Sequence, residues 1–148
     1  MTRGTVLLVE DDPVVGRLLM LILQNWGFEA KHVSTSREAA DFVALPQNAI
    51  ALVVCDVNLQ GESGAAVVAK IRAIRPRTKA LYTSGSPFDI LCEAGLLTRE
   101  SLQNRDTGYI KKPFLPENLK DAIDSLLSTT ERPWDTRQTG VQYASGSY

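Results

Sequence analysis

One histidine, two cysteines and almost no charge imbalance mark the chain first by what it lacks. Cys55 and Cys92 show neither metal-ligand spacing nor a disulfide framework, and Cys55 sits inside an apolar run where a free cysteine acts as a small hydrophobe. His32 has no ligand partner near it in sequence, which argues against a phosphohistidine role. Lys and Arg number 16 against 17 Asp and Glu, a net charge of −1, so no global field favours nucleic acid or anionic lipid. No apolar run approaches the roughly 18 residues that span a membrane. Met1 to Arg3 lead straight into Val6-Leu7-Leu8-Val9, too short a stretch, and too soon interrupted by acids, for a signal peptide. What remains is 148 residues, 44% hydrophobic and 22% charged, suited to one well-filled domain expected to be soluble and cytoplasmic.

The most informative stretch is IALVVCDVNLQGESG, Ile50 to Gly64. Ala51 to Cys55 run apolar without alternation, the pattern of a strand buried on both faces of a parallel sheet, and the run ends on Asp56. Val6 to Val9 repeats the pattern and ends in Glu10-Asp11-Asp12. Asp12 caps a helix that Pro13 opens, with Val15, Leu18, Leu19, Ile22 and Trp26 as its core face and Gly27 as its stop. Phe28 to Val33 is more polar and reads as an edge strand. Thr35 and Glu38 form a capping box for a helix through Ala39, Ala40, Phe42 and Val43 that Pro46 closes. A third helix runs from about Ser63 to Arg75 with Val67, Val68, Ile71 and Ile74 inward, and Lys79 to Thr83 is the fourth strand. Between Phe88 and Thr107, Ile90, Leu91, Leu96, Leu97 and Leu102 suggest helical pieces broken at Gly95. Gly108-Tyr109-Ile110 is a fifth strand. The last helix starts near Pro116, with no capping side chain at Leu115, and buries Leu119, Ala122, Ile123, Leu126 and Leu127. Strands and helices alternate five times, so the fold class is α/β, a doubly wound parallel sheet with helices on both faces.

In such a sheet ligands gather at the carboxyl ends of the strands. Those ends carry Glu10 and Asp11, Asp56, Ser84 and Lys112. Carboxylates within about 4 Å repel by roughly 4 kcal/mol at an effective dielectric near 20, which is relieved by protonation or by a divalent cation. An all-oxygen site of this kind suits Mg²⁺. A cation, a lysine and a hydroxyl around one carboxylate make a pocket for a transferred phosphoryl group, with Asp56 as nucleophile. Asp12 reads as a cap rather than a ligand and Lys111 as a solvated neighbour, while Thr83 competes with Ser84 as the hydroxyl of the pocket.

VLLVEDD (Val6 to Asp12), CDVNLQGESG (Cys55 to Gly64), LYTSG (Leu81 to Gly85) and GYIKKPF (Gly108 to Phe114) stand in order along Val6 to Ser128. In these motifs the chain resembles the CheY-like receiver domains of two-component response regulators. LYTSG and the long segment before GYIKKPF look most like receivers of hybrid sensor kinases. The resemblance implies a flavodoxin-like sheet of order 2-1-3-4-5, with Asp56 as phosphoacceptor and Asp11 as a direct Mg²⁺ ligand. It also implies that Glu10 acts through metal-bound water and that Asn58 offers its backbone carbonyl. Ser84 would be the switch hydroxyl, Tyr109 the aromatic that moves with it, and Lys112 the partner of a phosphoryl oxygen before a cis Lys112–Pro113 bond. Gln60 stands where the family usually has proline, which is expected to loosen the loop after Asp56. The segment from Phe88 to Thr107 is longer than in simple receivers.

The function expected from this reading is a single-domain response regulator, not an enzyme in its own right. It is phosphorylated by a sensor histidine kinase or a histidine phosphotransfer protein, and it acts on a downstream protein through its fourth helix, fifth strand and fifth helix. Neither nucleic acid nor membrane is an expected direct partner, and the oligomeric state expected is a monomer or a weak phosphorylation-dependent dimer. The rival is a phosphorylation-independent scaffold that keeps the fold without the chemistry. A phosphatase-type hydrolase would need a general acid two residues after the nucleophile, where Asn58 stands. Residues 3–128 make up the receiver, and 129–148, with Trp134 and Tyr143, form a flexible tail that lacks periodicity.

Overall fold

A computed structural model describes residues 3–103 and 105–128; the tail expected at 129–148 lies outside them. Five parallel strands form one sheet: β1 (Thr5–Val9), β2 (Glu29–Val33), β3 (Leu52–Asp56), β4 (Lys79–Ser84) and β5 (Thr107–Lys111). Their order is β2-β1-β3-β4-β5, the doubly wound order expected. The helices are α1 (Pro13–Asn25), α2 (Ser36–Ala44), α3 (Gly64–Ile74), α4 (Phe88–Glu93) and α5 (Pro116–Leu127). No helix among the described residues is long and apolar enough to cross a membrane.

The central strands are apolar because both of their faces are covered. Val6 to Val9 and Leu52 to Cys55 are all 0–1% exposed. On the edge strand β2, exposed Glu29 and Lys31 alternate with more covered residues. The register sets Val9 beside Cys55, Asp56 beside Thr83 and Ser84 beside Lys111, so the strands finish close to one level.

Local chemistry sets the helix ends. Asp12 Oδ1 accepts from the Val14 and Val15 amides, and Pro13 fills the first helical position. Thr35 Oγ1 accepts from the Glu38 amide while Glu38 Oε1 accepts from the Ser34 amide, closing the box around the start of α2. Leu115 has no acceptor side chain, and α5 is instead tied by Asn118 Oδ1, which accepts from the Leu115 amide at 3.0 Å. Arg75 donates from Nε to the Val43 carbonyl and from Nη2 to the Leu45 carbonyl, satisfying acceptors at the end of α2.

Three expectations need correction. In α1 the buried residues are Gly16, Leu19 and Leu23, whereas Leu18 is 57% exposed; Val15, Ile22 and Trp26 are partly covered. The helix is apolar nearly all round, so periodicity alone could not fix its rotation. Ile74 lies at the C-terminus of α3 and is exposed, because the helix has by then run past the sheet. Leu127, likewise in the last turn of α5, is only partly buried. The segment before β5 is broken as expected: α4 stops at Glu93, Gly95 takes φ +74°, and a 3₁₀ turn spans Arg99–Leu102, with Leu91, Leu97 and Leu102 inward.

Between β3 and α3 the chain folds a small hairpin, Asn58–Leu59 against Glu62–Ser63. Gly64 then passes directly over the end of β3, its amide donating to the Val57 carbonyl at 2.7 Å. A Cβ at Gly64 would lie 2.2 Å from the Asp56 carbonyl oxygen, against backbone that has no room to move. At Gly85 an added Cβ would meet nothing within 4 Å, which makes it the natural control. Gly64→Ala is expected to lower unfolding stability by about 1–3 kcal/mol in urea titration while Gly85→Ala stays within about 1 kcal/mol. Equal stabilities for the two variants would contradict the close-passage argument.

Candidate functional site

The ends of β1, β3 and β5 bring Glu10, Asp11, Asp56 and Lys112 together. Carboxylate oxygens of Glu10, Asp11 and Asp56 lie within 4.8 Å of one another. Lys112 Nζ stands between two of them, 2.9 Å from Glu10 Oε1 and 2.9 Å from Asp56 Oδ2. Each acid is further held by a backbone amide. Asp12 N–H donates to Glu10 Oε2 at 3.2 Å, Asn58 N–H to Asp56 Oδ1 at 3.0 Å, and Gln60 N–H to Asp11 Oδ2 at 3.0 Å.

The electrostatics are unevenly balanced. Glu10 is 2% exposed. Burial pushes its carboxyl above the usual range, and the hydrogen bonds from Lys112 and the Asp12 amide offset this only in part. Burial pulls the Lys112 ammonium down, but bridges to Glu10 and Asp56 outweigh it and hold the lysine charged. One ammonium shared by two carboxylates gains from both, while each carboxylate has only a share of it. Three acids against one lysine leave the pocket short of positive charge, and its donors are all oxygen. That donor set fits a hard divalent cation, with Glu10, Asp11 and Asp56 as the groups able to hold it.

The hydroxyl at the end of β4 is bonded to groups outside the acidic cluster. Ser84 is buried, its Oγ accepts from the Ser86 amide at 3.0 Å, and it also bonds to the Tyr109 phenol. Tyr109 donates its hydroxyl to the Ser86 carbonyl, and its ring packs on Phe88 with centroids 5.5 Å apart. Tyr109 is fully buried, so it contributes no exposed side chain to the surface of the fourth helix, fifth strand and fifth helix. The Lys112 amide donates to the Ser84 carbonyl at 2.7 Å, which joins the ends of β4 and β5 directly. The Lys112–Pro113 peptide is cis.

Two contacts escaped the sequence reading. His32 Nε2 lies 2.7 Å from the Glu10 carbonyl oxygen, with its ring under Gly16, where a Cβ would come within 2.3 Å of it. The pairing of β1 with β2 sets Leu8 beside His32, so strand register was the signal that could have found it. The other is the Gln60 amide. The loop after Asp56, where glutamine was expected to loosen the chain, carries a tie to Asp11 through the N–H that proline lacks. Cys55 behaves as expected: it is fully buried, and burial pushes its thiol far up, which leaves it inert.

The pattern of the response regulator receiver domain matches residues 6–124. The chain belongs to the receiver domain family. Among relatives, the transcriptional regulatory protein BasR of Escherichia coli (strain K12) is 34% identical over 125 residues, which is 82% of this chain and 51% of BasR. Transcriptional regulatory protein ZraR of the same strain is 27% identical over 126 residues, covering 84% of this chain and 26% of ZraR. The chain thus spans about half or less of these relatives. A response regulator receiver protein from Sinorhizobium medicae WSM419 superposes with TM-score 0.69 at 26% identity, over 85% of this chain and 95% of that one. The receiver domain from Hybrid Histidine Kinase CckA gives 0.65 at 23% identity, over 84% and 100%, a likeness of fold alone.

Removing Lys112 leaves Glu10 buried beside Asp56 without its counter-charge. Lys112→Ala, measured without added metal, is expected to lose about 1–3 kcal/mol of unfolding stability. Lys111→Ala, on the neighbouring lysine, should lose less than about 1 kcal/mol. A Lys112 variant as stable as the Lys111 variant would show that the bridges carry no net stability.

Proposed function

We propose that this receiver is a phosphorylation switch whose phosphoacceptor is Asp56. One observation carries the reading: Lys112 Nζ lies 2.9 Å from both Asp56 and Glu10, beside Asp11, at the carboxyl edge of the sheet. The donor is a phosphohistidine on a sensor kinase or a histidine phosphotransfer protein, or a small acyl phosphate. An Asp56 oxygen attacks phosphorus and the P–N bond to the donor imidazole breaks. The leaving nitrogen keeps the electron pair and takes up a proton. The product is an acyl phosphate on Asp56 and a free histidine; from a small acyl phosphate the P–O bond breaks instead and a carboxylate leaves with the electron pair.

Each neighbour has a distinct part. The Asn58 amide on Oδ1 and Lys112 on Oδ2 fix the Asp56 carboxylate, so little orientation is lost when the donor arrives. Lys112 then follows the incoming charge and pairs with a phosphoryl oxygen. Asp11, Asp56, Glu10 through water and the Asn58 carbonyl would hold Mg²⁺ at this edge. A cation held there would supply positive charge to the transferring phosphoryl group. Ser84 turns from Ser86 toward the phosphoryl group, and Tyr109, which is bonded to Ser84 and Ser86, moves with it. That motion changes the surface formed by α4, β5 and α5, where a downstream protein reads the state. A partner with a tenfold preference for one conformer biases the switch by about 1.4 kcal/mol. The protein assists its own phosphorylation and dephosphorylation but turns over no external substrate.

The test is incubation with acetyl phosphate or a phosphorylated histidine donor and Mg²⁺, followed by intact-mass and peptide analysis. One phosphoryl group on Asp56, absent from Asp56→Ala, is the expected result. Label on another residue, or none from any donor, would favour the scaffold reading.

A further inference from the structure

The hairpin after β3 turns through Leu59-Gln60-Gly61-Glu62. Gly61 takes φ +82°, whereas among the described residues none other than glycine has positive φ, the pattern of a type II turn with Gln60 as its first central residue. That position suits proline, and the extended Leu59 before it suits a pre-proline residue. Nothing in the backbone shape therefore requires glutamine. What glutamine retains is the main-chain N–H, and this N–H is on Asp11 Oδ2 at 3.0 Å, across 49 residues of sequence.

We propose that the Gln60 main-chain amide is a positioning group for the metal site, fixing the Asp11 carboxylate for a divalent cation and tying the hairpin after the phosphoacceptor to that ligand. The proposal rests on the metal-dependent function above and deepens it. Carboxylates that bind metals are themselves held by hydrogen bonds to their second oxygen, and loss of such a partner typically weakens metal binding about 10- to 100-fold. Glu10 and Asp56 each have both an amide and the shared lysine; the Gln60 amide supplies Asp11 with the same kind of anchor. The glutamine side chain has no part in this, so residue identity matters only through the presence or absence of the N–H.

This separates two substitutions cleanly. Gln60→Ala keeps the N–H. Gln60→Pro removes it in a turn that accepts proline, and sets the ring carbon where the hydrogen stood. Mg²⁺ titration followed by backbone amide shifts is expected to give wild-type affinity for Gln60→Ala and about tenfold weaker binding for Gln60→Pro, with far-UV circular dichroism unchanged in both. Gln60→Pro binding within twofold of wild type would overturn the proposal alone. So would an equal loss in Gln60→Ala, which would place the effect in the side chain. If Gln60→Pro unfolds, Gln60→Gly, which keeps the N–H, must match wild type, and weaker binding there overturns the proposal. A wild type with no saturable response to Mg²⁺ overturns the function above and this proposal together.

Discussion

Everything at the carboxyl edge of this sheet depends on one imbalance: three carboxylates gathered within 4.8 Å around a single ammonium. At separations near 4 Å, each like-charge pair is worth roughly 4 kcal/mol of repulsion at an effective dielectric near 20. Lys112 relieves two of the acids at once, and one backbone amide holds each of the three. Glu10 still has its carboxyl raised by burial, the sign of a charge not fully compensated. A pocket in this state gains from any further positive charge, and its oxygen donors select a hard ion. The arrangement is costly for stability and useful for chemistry, which is the usual compromise at a functional site.

The sheet makes the arrangement possible, and the connections at its edge make it readable elsewhere. Asp56 ends the strand that lies between β1 and β4, so its neighbours come from sequence segments more than a hundred residues apart. Main-chain bonds then cross the strand ends: Val57 to the Thr83 carbonyl, Lys112 to the Ser84 carbonyl, and Glu10 to the Val33 carbonyl. From Ser84 a short path runs through Ser86 to the buried Tyr109 phenol and on to Phe88 in α4. This is a packed, hydrogen-bonded link between the end of β4 and α4.

Much of this was legible in the chain. Continuous apolar runs ending in acids announce buried parallel strands, and Asp12-Pro13 and Thr35 with Glu38 announce helix starts through local bonds that sequence alone specifies. Side-chain facing in α1 was not legible, because Val14, Val15, Leu18, Leu19, Ile22 and Leu23 offer more than one apolar stripe and only packing against β1 and β2 selects among them. His32 and the Gln60 amide were missed for a different reason. Both act on the pocket through main-chain groups, at the Glu10 carbonyl and the Gln60 N–H, and residue types do not display main-chain contacts across strands. Gln60 stood out in the sequence for the ring it lacks, and the structure adds the N–H it keeps, which ties the loop to Asp11.

The central claim, that the acidic edge is a divalent-cation site organised around Asp11 and Asp56, is tested most directly by linkage between metal and stability. A ligand that binds only the folded state stabilises it by about 2.7 kcal/mol at a hundred times its dissociation constant. The unfolding free energy of the wild type should therefore rise steadily with Mg²⁺ at constant ionic strength, and that of Asp11→Asn should rise much less. An identical rise in both proteins, or none in either, would contradict the account.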